Sequence, residues 1–571
     1  MRIPRFFSEN RNNILLIIIL VFLIYSNAIL NDFVADDYGN IVSNERIQDI
    51  SKLPEIFTTP FWSFSDSSLG YYTPLTSLSF AADYGLWGLS PGGFHFTNIV
   101  IHVINSVLVF IVASKLVKNK KISLVAALMF ASFPVAVDSV AWISGRTHML
   151  ALMFSLVSFW FFIKYRKMPE TRYCLLSLVS FALAILSKET AIFLPLIFII
   201  YDFLYHKKTF RGLKKDWLYY GGFFSVLIVY ALVTFVVVGN ILPEITSNVI
   251  YPTNPLFGKG YMLAVINSPL IFSYYTLMIL TNTSFDFPPF LINSAFNPIW
   301  LLASLLLIIP LYYTYRVRKK YVFVTFFSLW FLINLIPAIA SIPSYTTYIV
   351  NRLSYIPSLG LAVLLPAAVL FISKKRNLDE RVFTSFFILV IIMFSGLAFA
   401  RTFDWRNEGS LLESDIRHNP GNYFAYNQLG NYYLGQKQYN KATLCFERSL
   451  EIEPNYSVTY NNLGNTYYMQ GKFNKAAEVF ERALEIEPDS VENLNNLGNT
   501  YVMAGRYGDA LEKFAKILEI DPENANAYFS VGVIYFNFLE DKEIAKQFVE
   551  RALEIEPENQ EYLDFLKLIS E

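Results

Sequence analysis

Charge is scarce in this chain: Asp, Glu, Lys and Arg make up 16% of its 571 residues, where soluble globular proteins carry about 25%. That excludes an ordinary soluble domain for most of the length. Cysteine is nearly missing as well, with Cys174 and Cys445 the only two. Cys174 lies in an apolar run and Cys445 in a repeat, so neither a disulfide framework nor a cysteine-based metal site fits. The formal net charge is zero. No basic tail or stripe is present, which argues against nucleic acid as a partner.

Apolar residues are plentiful at 54%, and the few charges are unevenly spread. From Pro420 onward there are 13 Lys/Arg against 24 Asp/Glu, leaving 33 and 22 for the rest. Two differently built parts therefore meet near residue 410. The expected domains are a membrane part over 1–405, with a large loop at 31–96, and a soluble part over 406–571.

A bilayer core about 30 Å thick needs roughly 20 apolar residues per helix. Twelve segments qualify as candidates: 14–30, 97–117, 122–141, 147–164, 172–187, 189–205, 218–239, 263–282, 298–315, 321–340, 353–372 and 382–400. The first follows Arg2, Arg5 and Arg11 without an evident cleavage site and reads as a retained anchor. Basic clusters at 2–11, 115–121, 164–172, 207–215, 316–320 and 374–381 belong on the cytoplasmic side. An even number of crossings must separate neighbours, and this fails only between 215 and 316. The segment 263–282, flanked by Pro288 and Pro289, is then re-entrant or superficial, and about eleven crossings remain. The N-terminus is cytoplasmic on this reading. The 31–96 loop, the 142–147 turn, Lys188, the 341–352 loop and the C-terminal part share the opposite side.

The acidic part repeats itself. Gly430, Gly464, Gly498 and Gly532 recur every 34 residues, each with a tyrosine three positions on. Ala442, Ala476, Ala510 and Ala545 mark a second helix, and Pro454, Pro488, Pro522 and Pro557 end each unit. This is the tetratricopeptide signature. Four units, at about 422–455, 456–489, 490–523 and 524–558, precede a short terminal helix, enough for an α-solenoid. The fold class is all-α: a polytopic helical membrane domain followed by that solenoid. Asn427, Asn431, Asn461, Asn465, Asn495 and Asn499 recur on the first helices. Such a ladder either hydrogen-bonds an extended acceptor peptide or is a solvated consensus face.

Specific polar residues gather on the non-cytoplasmic side. Asp36 and Asp37 follow the first span, and paired carboxylates act as a general base or bind a divalent cation. His95, Asn98 and His102 lie on one helix face at the entry to the second span. Arg146, Lys188 and Arg352 stand alone in apolar surroundings. Isolated cations there suit a lipid phosphate, or else snorkel or pair internally, as Lys188 with Glu189. No glutamate completes a metalloprotease motif; no cofactor is expected, and a divalent metal is not excluded.

In order along the chain stand Phe33-Val34-Ala35-Asp36-Asp37, Phe94-His95 with Asn98 and His102, Ser144-Gly145-Arg146-Thr147-His148, Leu186-Ser187-Lys188-Glu189 and Asn351-Arg352-Leu353-Ser354, then the repeats. This set resembles the transmembrane-and-tetratricopeptide-repeat O-mannosyltransferases of the GT-C glycosyltransferase superfamily. The resemblance implies a polyprenyl-phosphate sugar donor, often mannose, a Ser/Thr acceptor on a protein, and a site facing away from the cytoplasm. It gives the base to the Asp36–Asp37 pair. Donor-phosphate contacts fall to Arg146, Lys188 and Arg352, with His95, Asn98, His102, His148 and Glu189 supporting. Two positions depart from the family pattern: His148 replaces a usual acid, and Asn351 the usual glutamate before Arg352. The rival readings are a membrane-anchored repeat scaffold without activity, and a transporter or lipid-polymer ligase.

Overall fold

A computed structural model of the chain describes residues 8–61, 71–208, 216–239, 267–281, 298–341 and 351–571. The 341–352 loop, most of the 207–215 basic cluster and Pro288-Pro289 lie largely or wholly outside these residues. Those described contain helices and turns and no strand. They divide into two compact units, Met1–Ser410 and Leu411–Glu571.

The longer helices of the first unit are α1 Arg11–Tyr25, α2 Pro74–Trp87, α3 Pro91–Val117, α4 Lys120–Ser132, α5 Arg146–Lys167, α6 Thr171–Ser187, α7 Leu194–Tyr205, α8 Trp217–Val238, α9 Ser268–Thr281, α10 Pro298–Val317, α11 Val322–Ser341, α12 Tyr355–Lys375 and α13 Glu380–Thr402. Each of the twelve candidate segments overlaps one of these helices. Not all are span-length. Among the described residues seven helices are long and apolar enough to cross a membrane, or eight if Lys120–Ser132 and Pro134–Val140, bent by 50°, count as one. Thr171–Ser187, Ser268–Thr281 and Val322–Pro337 are shorter apolar helices.

Local chemistry sets these boundaries. The Asn119 side chain accepts from the backbone N–H of Lys121 at 3.0 Å and Ile122 at 3.1 Å, starting α4. Pro134 cannot donate a backbone hydrogen bond, and the helix breaks just before it. The break turns the chain toward the buried stretch 134–145, where the site begins. Helices α3, α5 and α12 bury most of their middle residues. Helix α8 fully buries only Tyr219, Tyr220, Phe223 and Thr234, packs Val226, Leu227 and Tyr230 partly against the core, and leaves Leu218, Phe224, Ile228, Val229, Leu232, Phe235 and Val236 exposed, as a helix with one lipid-facing side does.

The second unit stacks paired helices. They are α14 Glu408–His418, which begins just before the division, α15 Tyr423–Gly435, α16 Tyr439–Ile452, α17 Ser457–Met469, α18 Phe473–Ile486, α19 Val491–Met503, α20 Tyr507–Ile520, α21 Ala525–Asn537, α22 Lys542–Ile555 and the terminal α23 Gln560–Ser570. The repeat glycines have a steric cause. A Cβ on Gly464 would lie 2.7 Å from the Phe480 ring, and one on Gly498 2.9 Å from Phe514. Tyrosines three residues on bond glutamates twenty residues upstream: Tyr467 to Glu447, Tyr501 to Glu481, and Tyr433 to Glu413 at 2.8 Å. Glu413 on α14 thus plays the part of Glu447 and Glu481, so α14 acts as the second helix of an incomplete leading repeat. The expected start at 422 missed it because α14 lacks the glycine and alanine markers.

Candidate active site

The loop after α1 presents two carboxylates differently. Ala35 adopts φ 49°, in the left-handed region, at a cost of about 1 kcal/mol for an L-residue. Asp37 is fully buried. Its Oδ2 accepts from the Val34 N–H at 3.2 Å, and its Oδ1 accepts from the Ser144 N–H at 2.9 Å and hydroxyl at 2.6 Å. Asn40 donates to the same Ser144 hydroxyl at 3.0 Å. Burial pushes the Asp37 carboxyl up to about 7, against the opposing pull of these hydrogen bonds. Asp37 fastens the loop to the 144 turn. Asp36 is only partly buried. Burial raises its pKa above the ordinary carboxylate value, and the positive charge of Arg352 pulls it back.

The 144 turn is itself tightly held. A Cβ on Gly145 would sit 2.8 Å from the Asp138 and Ser139 carbonyl oxygens, so only glycine lets the turn pack there. Arg146 follows and is fully buried. Nε donates to Asn98 Oδ1 at 2.7 Å, one terminal nitrogen to Asp83 at 2.6 Å and the Phe94 carbonyl at 3.0 Å, and the other to the Ser79 carbonyl and hydroxyl at 3.2 and 3.3 Å. A guanidinium has five N–H groups, and all five are engaged. The expectation that Arg146 stands alone and holds a donor phosphate is therefore corrected. It joins α2, α3 and α5 through a buried ion pair with Asp83. The sequence reading missed Asp83, the one charged residue of α2, which was the available signal.

The remaining cations are placed differently. Lys188 is buried, pairs with Glu189 at 2.9 Å and lies 4.2 Å from the centre of the Tyr71 ring. This is the internal pairing weighed above for Lys188, and it replaces the picture of a solitary cation. Arg352 is half-buried, with its guanidinium 4.9 Å over the Trp142 ring. His148, buried at the start of α5, is within electrostatic range of both Lys188 and Arg352. Asp36, His148, Lys188, Glu189 and Arg352 thus form one neighbourhood, delivered by four separate stretches of chain. The side chain of Asn351 lies outside the described residues.

The three polar residues at the entry to α3 do not converge on it. His95 is buried against the backbone of Asn31 and Asp32. Asn98 holds Arg146 and the carbonyls of Val140, Trp142 and Ile143. His102 bonds the Tyr355 hydroxyl at 2.8 Å and contacts the Ala131 carbonyl at 3.3 Å, which is bundle packing. Among the described residues no three His, Cys, Asp or Glu side chains are grouped to hold a metal.

The asparagine ladder divides likewise. Asn427 is buried and accepts from Thr459 and Asn462, each at 3.0 Å. Asn461 accepts from Asn496 at 2.8 Å and donates to Glu492 at 2.7 Å. These two stitch neighbouring repeats together rather than facing a peptide. Asn431 is exposed, and Asn465, Asn495 and Asn499 are half-buried.

The fold and this neighbourhood define a multi-span membrane protein with a loop-borne acid beside buried and half-buried cations, followed by tetratricopeptide repeats. Residues 81–235 match the family model of dolichyl-phosphate-mannose-protein mannosyltransferases, and 422–489, 461–525 and 495–555 match tetratricopeptide models. A protein O-mannosyl-transferase of Caenorhabditis elegans is 28% identical over 79% of this chain and 64% of its own length. Protein O-mannosyl-transferase TMTC3 of Homo sapiens is 25% identical over 78% of this chain and 52% of its own, and TMTC1 of Mus musculus 33% identical over 32% and 21%. The solved structure of MamA aligns with 28% of this chain and 94% of its own at 22% identity and a TM-score of 0.26; the repeat assignment rests on the 34-residue period and the helix pairs. Over most of its length the chain is similar to the transmembrane-and-tetratricopeptide-repeat protein O-mannosyl-transferases. It spans about half to two-thirds of the length of the first two relatives.

Proposed function

We propose that this protein transfers mannose from a polyprenyl-phosphate donor to Ser/Thr hydroxyls of proteins, with Asp36 as the general base. The observation that carries this reading is the division of labour between the two acids. Asp37 spends its oxygens on Ser144 and Val34. Asp36 keeps a partly exposed carboxylate within reach of Arg352's charge. A base must meet substrate, and of the two only Asp36 can.

In the reaction Asp36 takes the acceptor hydroxyl proton as that oxygen attacks the anomeric carbon. The bond from that carbon to the phosphate oxygen breaks, and the polyprenyl phosphate leaves with the electron pair and one more negative charge. Arg352 offsets that charge. A single displacement inverts the anomeric centre. The raised pKa of Asp36 makes it a stronger base than an ordinary carboxylate, and the rate limb it controls lies above the ordinary carboxylate range. The repeats raise the local concentration of an extended acceptor without entering the chemistry. The site and the repeats lie on the non-cytoplasmic side, as the basic loops direct.

A steady-state comparison tests this. Asp36→Asn should lower kcat by about 10²- to 10⁴-fold, as loss of a general base does, with donor affinity preserved. Arg352→Gln should instead weaken donor binding as well as kcat. Equal activity of Asp36→Asn and wild type at normal expression would end the assignment.

A further inference from the structure

We propose that the indole N–H of Trp142 is a hydrogen-bond donor to the phosphate of the polyprenyl carrier; this rests on the donor reading above. Trp142 is 6% exposed, and its Nε1 has no hydrogen-bond partner among the described residues. An orphaned buried N–H is rare because its desolvation goes uncompensated. Burial of Trp142 is nevertheless strongly enforced. Its carbonyl accepts from Asn98 at 3.1 Å. Its ring stacks on Trp405 with centroids 5.7 Å apart and planes 20° apart.

The same ring lies under the Arg352 guanidinium at 4.9 Å, the cation whose charge reaches Asp36. The lone N–H therefore belongs to the ring that carries the cation best suited to a phosphate. Ser354, on the turn with Arg352, is also buried with its hydroxyl unpartnered. An acceptor-rich anion arriving at Arg352 satisfies what the protein leaves open. A sugar hydroxyl would also accept from the indole, but an anionic oxygen gains roughly twice as much from an N–H and is the group drawn to Arg352.

Trp405 is a packing partner of the Trp142 ring. The stretch from Thr402 to Arg406 is tied to the loop that carries Asp36: Asn31 donates to the Thr402 carbonyl at 3.2 Å, and the Asp32 N–H donates to the Arg406 carbonyl at 2.9 Å.

The test replaces Trp142 in the full chain with β-(3-benzothienyl)alanine, which keeps the two-ring shape and substitutes sulfur for N–H. Binding of a short polyprenyl monophosphate is measured, with dioleoyl phosphatidic acid as the competing phosphate lipid. The inference expects affinity for polyprenyl phosphate to fall about tenfold or more, the worth of one hydrogen bond to a charged group. Trp405→Phe, which keeps the Trp142 N–H, should stay within about threefold, the worth of a weakened ring contact. Unchanged polyprenyl phosphate affinity in the sulfur isostere overturns the inference and leaves the mannosyltransferase reading standing. A loss seen only against phosphatidic acid also overturns it. Failure of the unmodified protein to bind polyprenyl phosphate defeats the donor reading itself, and this inference with it.

Discussion

Raising the pH should weaken the membrane unit through one carboxyl group, Asp37. Its pKa moves from an ordinary 3.8 to about 7 in the folded protein, mainly through burial. The folded state thus holds this proton more tightly than the unfolded chain. The stabilisation is fully present below about pH 4 and disappears as pH rises through about 7. A shift of roughly three units corresponds to about 4 kcal/mol at 1.36 kcal/mol per unit. Asp37→Asn removes the titration. It also turns an amide NH2 toward a backbone N–H, at Val34 or Ser144, at a cost of about 1–3 kcal/mol. The variant should be clearly less stable than wild type at pH 5, and the gap should narrow or reverse by pH 8. Thermal unfolding of purified protein in detergent, followed by tryptophan fluorescence from pH 4.5 to 8.5, reads this directly. A stability gap that stays constant across that range would refute the reasoning.

Other consequences follow from the same contacts. Asp83→Asn strands the Arg146 charge and should destabilise the unit by about 3–5 kcal/mol, as breaking a buried pair does; the double variant Asp83→Leu with Arg146→Met should recover much of it in the same unfolding assay. A normally stable Arg146→Met variant that merely lost donor binding would restore the phosphate role removed above. Truncation after Arg417 should abolish most transfer to protein acceptors while leaving polyprenyl-phosphate binding intact, and equal loss of both would count against the division between the two units. Asn461→Ala should lower the urea-unfolding stability of the repeats by about 0.5–1.5 kcal/mol through the hydrogen bonds lost to Asn496 and Glu492. Loss of acceptor binding without loss of stability would return Asn461 to a peptide-facing role.

The helices were legible in the sequence because apolar runs of near-membrane length and a 34-residue period are strong, local signals. The break at Pro134 was not, since 122–141 is mostly apolar and long enough to read as one span, and only the missing proline N–H ends the helix at Ser132. Asp36, Lys188 and Arg352 were singled out from their surroundings, and the structure brings them to one neighbourhood with His148. Arg146 looked solitary because its partner Asp83 is 63 residues away, and ion pairs across helices leave no trace in spacing. The repeat asparagines misled for a related reason: one face of a repeat helix meets the next repeat and another meets solvent, and the period alone does not say which. Trp142 carried no sequence signal, because an indole in an apolar stretch reads as packing until its neighbours are known.

The central claim is that Asp36 activates an acceptor hydroxyl for mannosyl transfer. Its most direct test is transfer of labelled mannose from synthetic polyprenyl-phosphate-mannose to a mixed Ser/Thr peptide pool, comparing purified wild type with Asp36→Asn. The account predicts transfer by wild type and a fall of at least about a hundredfold in the variant, with polyprenyl-phosphate binding retained in both. No transfer by folded wild-type protein, or full activity in the variant, would contradict it.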